Sequence, residues 1–223
     1  MTIKNFAIYG ERCSGTNFLE ETIKHNFNIK ITLDYGHKHF FCFQKYTNDT
    51  KENETLFIGI IKHPINWLFS LLKNPHHLNV KYLPNLLTQE IYSTYDVTIG
   101  NEIKGEIRKD DLNYITNEKY KNIFELRKLK NDYLINIMPT KVKNYIFIKY
   151  EDLVLKPEEI IINIQKYFDL KLKNDVIKKV TYYKKYSHMP YVPRVINFDN
   201  KTLDIIKQNL DKNQEELLNY DIN

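Results

Sequence analysis

The segment Gly10-Glu11-Arg12-Cys13-Ser14-Gly15-Thr16-Asn17 gathers two glycines, two hydroxyls and an arginine within eight positions. It follows the apolar run Phe6-Ala7-Ile8-Tyr9 and precedes a stretch, residues 16–26, with apolar residues at helical spacing. That pattern predicts strand, loop, helix. Glycines let the backbone turn tightly and approach an anion closely, and a helix start offers unpaired N–H groups and a positive dipole end. The chemistry implied is phosphate or sulfate binding, with backbone N–H groups of Ser14, Gly15, Thr16 and Asn17 as donors. The spacing Gly10 to Gly15 is that of a P-loop, G-x-x-x-x-G, but Thr16 and Asn17 stand where a nucleotide triphosphatase has Lys and Ser/Thr. The cradle therefore lacks the residues that reach the β/γ-phosphates and magnesium. The plainer alternative is a glycine-containing turn with no ligand, in which Ser14 and Thr16 cap the helix.

A second cluster with chemical potential is His37-Lys38-His39. In extended chain the two histidines share one face and Lys38 takes the other. Histidine is the usual general base near neutral pH. His39 is the first choice, His37 the second, with Lys38 as an electrostatic helper. Glu11 is the substitute if both histidines point away. A polar strand end is the alternative without function. His37, His39, His76 and His77 invite a zinc reading, but no carboxylate or thiolate stands at convincing spacing, so no metal site is expected. Cys13 reads as a small filler rather than a nucleophile, because no histidine neighbours it in sequence.

These residues need elements to hold them. Strands are expected at residues 5–9, weakly at 28–32, at 55–62 and at 145–150. The runs at 5–9, 55–62 and 145–150 are nearly unbroken apolar stretches, as in parallel sheets buried on both faces. Helices are expected at 16–26, after Pro64, at 119–138, at 157–168 and at 200–219; Pro64 suits a first helical position. Lys62 ends its strand, and Ser70, seven residues after His63, falls on the same helix face two turns on. Residues 73–118 are poorly patterned and are expected to form short helices and loops on the acceptor side. Residues 181–197 read as a loop. Arg127 is expected on the helix surface, and Glu151 and Asp152 as caps of the segment that follows. Strands alternating with helices predict an α/β fold: three layers, a mostly parallel central sheet flanked by helices, with ligands at the carboxyl ends of the strands.

Composition sets the outer limits. The chain has 223 residues, enough for one domain spanning 1–223. Its net charge of +5 suits an anionic ligand and is too small and scattered to imply nucleic acid. No run of about 18 apolar residues would span a membrane. The first strand begins too early to leave room for a signal peptide, and the two cysteines make no disulfide framework. The expected setting is cytoplasmic and reducing.

Taken together, three segments resemble the sulfotransferases that use 3′-phosphoadenosine 5′-phosphosulfate (PAPS). The loop at residues 10–17 is similar to that family's 5′-phosphosulfate loop. Lys62-His63-Pro64-Ile65-Asn66-Trp67-Leu68-Phe69-Ser70 is similar to its 3′-phosphate motif: a basic residue, Pro two positions on, Ser eight positions on. Ile148-Lys149-Tyr150-Glu151-Asp152-Leu153 is similar to its Tyr-Glu-Asp-Leu segment. They occur in the family's order, and the alignable parts cover about half the chain. The chain departs in two places. Cys13 occupies the place of the family's loop cation, with Arg12 one position earlier, and Lys62 stands in place of arginine.

The resemblance implies a P-loop-like nucleotide-binding architecture and in-line transfer of a sulfuryl group to an acceptor hydroxyl on a sugar or small metabolite. Cofactor contacts would come from Arg12, Cys13, Ser14, Gly15, Thr16 and Asn17 around the phosphosulfate, and from Lys62 and Ser70 at the 3′-phosphate. Lys184, Lys185 and Arg194 would belong to a basic flap. Arg12 is expected to reach the transferring group, being the loop's one cation. Two alternatives accompany this reading: a P-loop-like kinase, and a non-catalytic anion-binding domain of the same fold.

Overall fold

The computed structural model describes residues 2–99, 102–183, 186–190, 192 and 198–222. Lys184, Lys185 and Arg194 lie outside the described residues. The central sheet contains β1 (Asn5–Tyr9), β2 (Lys30–Ile31), β3 (Thr55–Ile61) and β6 (Tyr145–Lys149) in the order β2-β1-β3-β6. All three pairings are parallel, with Ile8 beside Ile58 and Ile60 beside Ile148. Such pairings require long crossovers, supplied by α1 (Thr16–Asn26), α2 (Thr50–Asn53), α3 (Pro64–Lys73) and the elements that follow.

Alternation along the strands divides the core. Phe6, Ile8, Leu56, Ile58, Ile60 and Ile148 pack with Leu19 and Ile23 of α1, Leu153 of α7 (Tyr150–Leu155), and Ile161 and Ile164 of α8 (Pro157–Phe168). Ala7, Tyr9, Phe57 and Ile61 instead meet Tyr133, Leu134, Met138, Leu218 and Tyr220. The sheet is thus covered on both faces, which is why its strands read as continuous apolar runs. A third cluster joins Trp67, Leu68 and Leu71 of α3 to α4 (Leu83–Thr88), α5 (Ile123–Asp132) and Ile206 of α9 (Asn200–Asn209).

Four expectations are corrected. The second strand is two residues long, and His37-Lys38-His39 lies in a turn, with Phe40 N–H donating to His37 C=O at 2.9 Å. The helix expected at 119–138 starts at Ile123, because Asn122 caps it by accepting from Phe124 and Glu125 N–H. It then widens into a π-turn over Tyr133–Ile137 before α6 (Met138–Lys141). Pro139 accounts for the widening: it lacks an N–H to donate back and its ring crowds the preceding turn. The last helix divides into α9 and α10 (Lys212–Leu217), because Leu210 is extended and Asp211 caps a new start.

Residues 73–118 hold an antiparallel hairpin, β4 (Thr94–Ile99) and β5 (Glu102–Ile107), as well as α4. The β5 residues are all exposed, so no buried face wrote an alternating signal into the sequence. Within 181–197, β7 (Tyr182–Tyr183) pairs with β8 (Tyr186–Pro190). Because β2 and β3 flank β1 on opposite sides, the chain leaves the carboxyl end of β1 at a topological switch point, where α/β sheets bind ligands.

Candidate functional site

The loop after β1 lies at that switch point. A Cβ on Gly10 would fall 2.5 Å from the Ile60 carbonyl oxygen, so only glycine lets β1 end so close to β3. The Gly10 N–H donates to Lys38 C=O, which lays the His37-Lys38-His39 turn along the loop. Cys13 takes φ 64° and Gly15 φ 99°, and these two left-handed residues fold the loop back into α1. No side chain caps α1, whose first turn therefore presents its backbone N–H groups and positive dipole end. The Ser14 hydroxyl donates to Glu11 C=O at 2.6 Å and closes the loop rather than facing outward. Cys13 Sγ donates to the carbonyls of Ser70 and Asn74, each at 3.5 Å, and so fills the space against α3.

Three segments far apart in sequence meet at Tyr150. A Cβ on Gly15 would fall 2.2 Å from Tyr150 Cδ2, so the ring lies against the glycine itself. Lys62 Nζ sits 4.7 Å from the centre of the same ring, within cation–π range, and donates to Ser70 Oγ at 3.0 Å. Positions 62 and 70 thus converge, Lys62 lying just before α3 and Ser70 within it. No side chain caps α3, which begins beside them at Pro64. The backbone here is braced: His63 N–H donates to Glu151 Oε1, Tyr220 O–H to Glu151 Oε2, and Arg127 Nη1–H to Lys62 C=O. Glu151 is therefore a brace between strand ends rather than a cap. Arg127 is buried and forks onto Glu215, with Nε–Oε1 at 2.6 Å, which overturns its expected surface position.

The histidine turn adjoins the loop. His39 Nδ1 lies 2.8 Å from Gly10 C=O. A carbonyl only accepts, so Nδ1 carries the hydrogen and Nε2 is left as the acceptor nitrogen. Burial, offset only in part by Glu11, pushes His39 down to about 3, so the ring is neutral at physiological pH. His37 stacks on Phe40 with ring centres 5.1 Å apart. Its pKa is lowered by burial and by Lys38, Arg108 and Arg12. Lys38 Nζ donates to Asn17 Oδ1 on the first turn of α1 and lies 3.6 Å from Glu20 Oε2. His37, Lys38 and Glu20 line a cavity of about 240 Å³ whose apolar wall is Ile8, Ile31 and Leu33.

Arg12 does not take the position its sequence neighbours suggested. Its side chain is fully buried. Nε donates to His76 C=O at 2.8 Å, Nη1 to Glu11 Oε1 at 2.7 Å, and Nη2 to Ser93 Oγ and to Asp111 Oδ2 at 2.6 Å. Lys130 Nζ donates to the second oxygens of both Glu11 and Asp111 and to His39 C=O. Two carboxylates and two cations thus neutralise one another out of water. Burial disfavours the Glu11 carboxylate, but Lys130 and Arg12 outweigh it and hold the group at about 2. Lys130 is raised, because Asp111 and Glu11 outweigh its own burial. Glu11 is thereby held as an anion between Arg12 and Lys130.

Sequence reasoning missed Ser93, Asp111 and Lys130. A signal for Lys130 was present: it falls on the inward stripe that runs Ile123, Leu126, Leu134, where a lysine must have a buried partner. Ser93 and Asp111 carry no such mark. Among the described residues no group of three His, Cys, Asp or Glu side chains could hold a metal ion, and no helix is long and apolar enough to cross a membrane. Compared with models of protein families and with curated proteins, the chain matches none.

Proposed function

We propose that the protein is a PAPS-dependent sulfotransferase of P-loop-like architecture. The observation that carries this reading is the meeting of Gly15, Lys62, Ser70 and Tyr150 at the carboxyl ends of β1, β3 and β6. Those positions come from the three segments whose order and spacing resemble the family. The start of α1, which no side chain caps, favours a bound anion, whereas at the start of α3 the Glu151 carboxylate already accepts from the His63 N–H. A ligand with two separate anionic groups fits the α1 start and the Lys62–Ser70 pair.

In this reading the N–H groups at the α1 start hold the 5′ anionic end, and Lys62 with Ser70 holds the 3′-phosphate. Lys38, placed on the first turn of α1 through Asn17, takes the role first assigned to Arg12 and neutralises charge developing at the transferring group. The proton of the acceptor hydroxyl passes to Nε2 of His39, the acceptor nitrogen left by the Nδ1 bond to Gly10; burial weakens that nitrogen as a base, and the negative charge of a bound cofactor would raise it. His37 lines the neighbouring cavity, which has room for an acceptor the size of one sugar ring. PAPS supplies the sulfuryl group: the acceptor oxygen–sulfur bond forms as the sulfur–phosphate oxygen bond breaks.

Thermal shift with ligands tests the reading. Stabilisation by 3′-phosphoadenosine 5′-phosphate (PAP) without magnesium is expected, followed by transfer of labelled sulfate from PAPS to a hydroxylated acceptor. A response to ATP with magnesium alone would favour a kinase. PAP binding with no transfer to any acceptor would favour a binding domain.

A further inference from the structure

We infer that Asp111 and Lys130 are positioning residues, which through Arg12 and Glu11 fasten the anion loop to the acceptor-side segment as one rigid unit. The inference rests on the reading of that loop as an anion cradle. Glu11 and Arg12 are consecutive and lie between Gly10 and Ser14, so their two side chains fix the loop backbone at its middle. Besides each other, the charged partners they reach, Asp111 and Lys130, come from outside the loop. Asp111 stands just beyond β5, and Ser93 just before β4. Arg108 N–H donates to Ser93 C=O at 2.8 Å and Asp111 N–H to Arg108 C=O, so the base of the hairpin is closed directly on Arg12. Phe40 adds a shared surface: Arg12 and Arg108 lie 4.9 and 4.1 Å from its ring centre. From the other side, Lys130 of α5 bonds both carboxylates and the backbone of His39.

The physical consequence follows from burial. Charges removed from water are tolerated only when every partner is present, so the quartet has one low-energy arrangement. A loop held in that arrangement presents its N–H groups without first having to order itself, which is how preorganised anion sites gain affinity. The hairpin and the segment around it then take their orientation from the same arginine that shapes the loop. Acceptor-side and anion-side geometry are coupled through side chains that touch neither ligand.

The test uses the double variant Asp111→Asn/Lys130→Met, which removes one charge of each sign and leaves the Glu11–Arg12 pair balanced. Ligand-free hydrogen exchange is expected to accelerate at residues 10–17 as well as at 91–111. PAP affinity by calorimetry is expected to fall tenfold or more. Val142→Ala, in the core before the amino end of β6, supplies a destabilised control in which loop exchange and PAP affinity stay at wild-type values. Should the double variant not fold, Ser93→Ala removes a hydrogen bond and no charge and is read the same way. Wild-type exchange at residues 10–17 in a folded variant overturns the inference, as does PAP affinity within twofold of wild type. Failure of the wild-type protein to bind PAP counts against the sulfotransferase reading, and the coupling is then judged by exchange alone.

Discussion

Arg12 and Lys62 are both cations at the carboxyl ends of neighbouring strands, yet their surroundings differ in kind. Arg12 is fully buried and forked between two carboxylates. Lys62 is half-buried and has a serine hydroxyl and an aromatic face among its partners. A cation already neutralised by two fixed, buried carboxylates has little field left for a ligand. Burial and pairing make Arg12 part of the loop's framework, and under the proposed function Lys62 is the cation that binds. Residue type alone would have reversed the order, since arginine is ordinarily the stronger anion ligand.

The largest expected effect lies on the Arg12 side. Asp111→Asn strands a buried positive charge and should lower unfolding stability by about 3–5 kcal/mol in urea titrations. Lys62→Ala should cost far less, under about 1 kcal/mol, as for other partly exposed polar contacts. Equal losses in the two variants would break the contrast.

Acid should find the same weak point. Glu11 is held at about 2 against an ordinary 4.5, so its contribution is present above 4.5 and is lost as pH falls toward 2. His39 is held neutral down to about 3 against an ordinary 6.5. The unfolded chain takes that proton first, so stability also declines as pH falls from 6.5 toward 3. The urea midpoint should therefore drop continuously below about pH 6.5. In His39→Asn the part of the decline above pH 4.5 should shrink, His37 supplying the remainder; a midpoint curve that superimposes on wild type would contradict the neutral assignment.

On the Lys62 side, Lys62→Ala should weaken PAP binding by roughly 10- to 100-fold, the worth of a charge-assisted hydrogen bond. Unchanged affinity in calorimetry would remove Lys62 from the site. The smallest effect is expected from Lys62→Arg, which keeps the charge and can still reach a phosphate. Its PAP affinity should stay within about tenfold of wild type, a few tenths to one bond's worth of free energy. A loss as large as that of the alanine variant would mean that fit against Tyr150, rather than charge, governs the position.

The sequence by itself determined β1, its glycine loop and α1, the start of α3 at Pro64, and the strand expected at 145–150, which ends one residue earlier at Lys149. Each is written locally: unbroken apolar runs, a glycine at a positive-φ turn, a proline at a first helical position. The nearness of Lys62 and Ser70 was legible for the same reason, since Lys62 lies two residues before Pro64 and α3 carries Ser70 back toward that end. Only the tertiary structure decided which partners the charges take. Arg12 and Asp111, or Lys130 and Glu11, lie on separate elements, and the chain's path brings them together by burying the surfaces around them. The exposed β4–β5 hairpin left no periodicity to read, and the tautomer of His39 depends on a carbonyl from another segment. Short-range patterning encodes elements; long-range ion pairing emerges when those elements pack. The loop's arginine was therefore visible as a residue and invisible in its role.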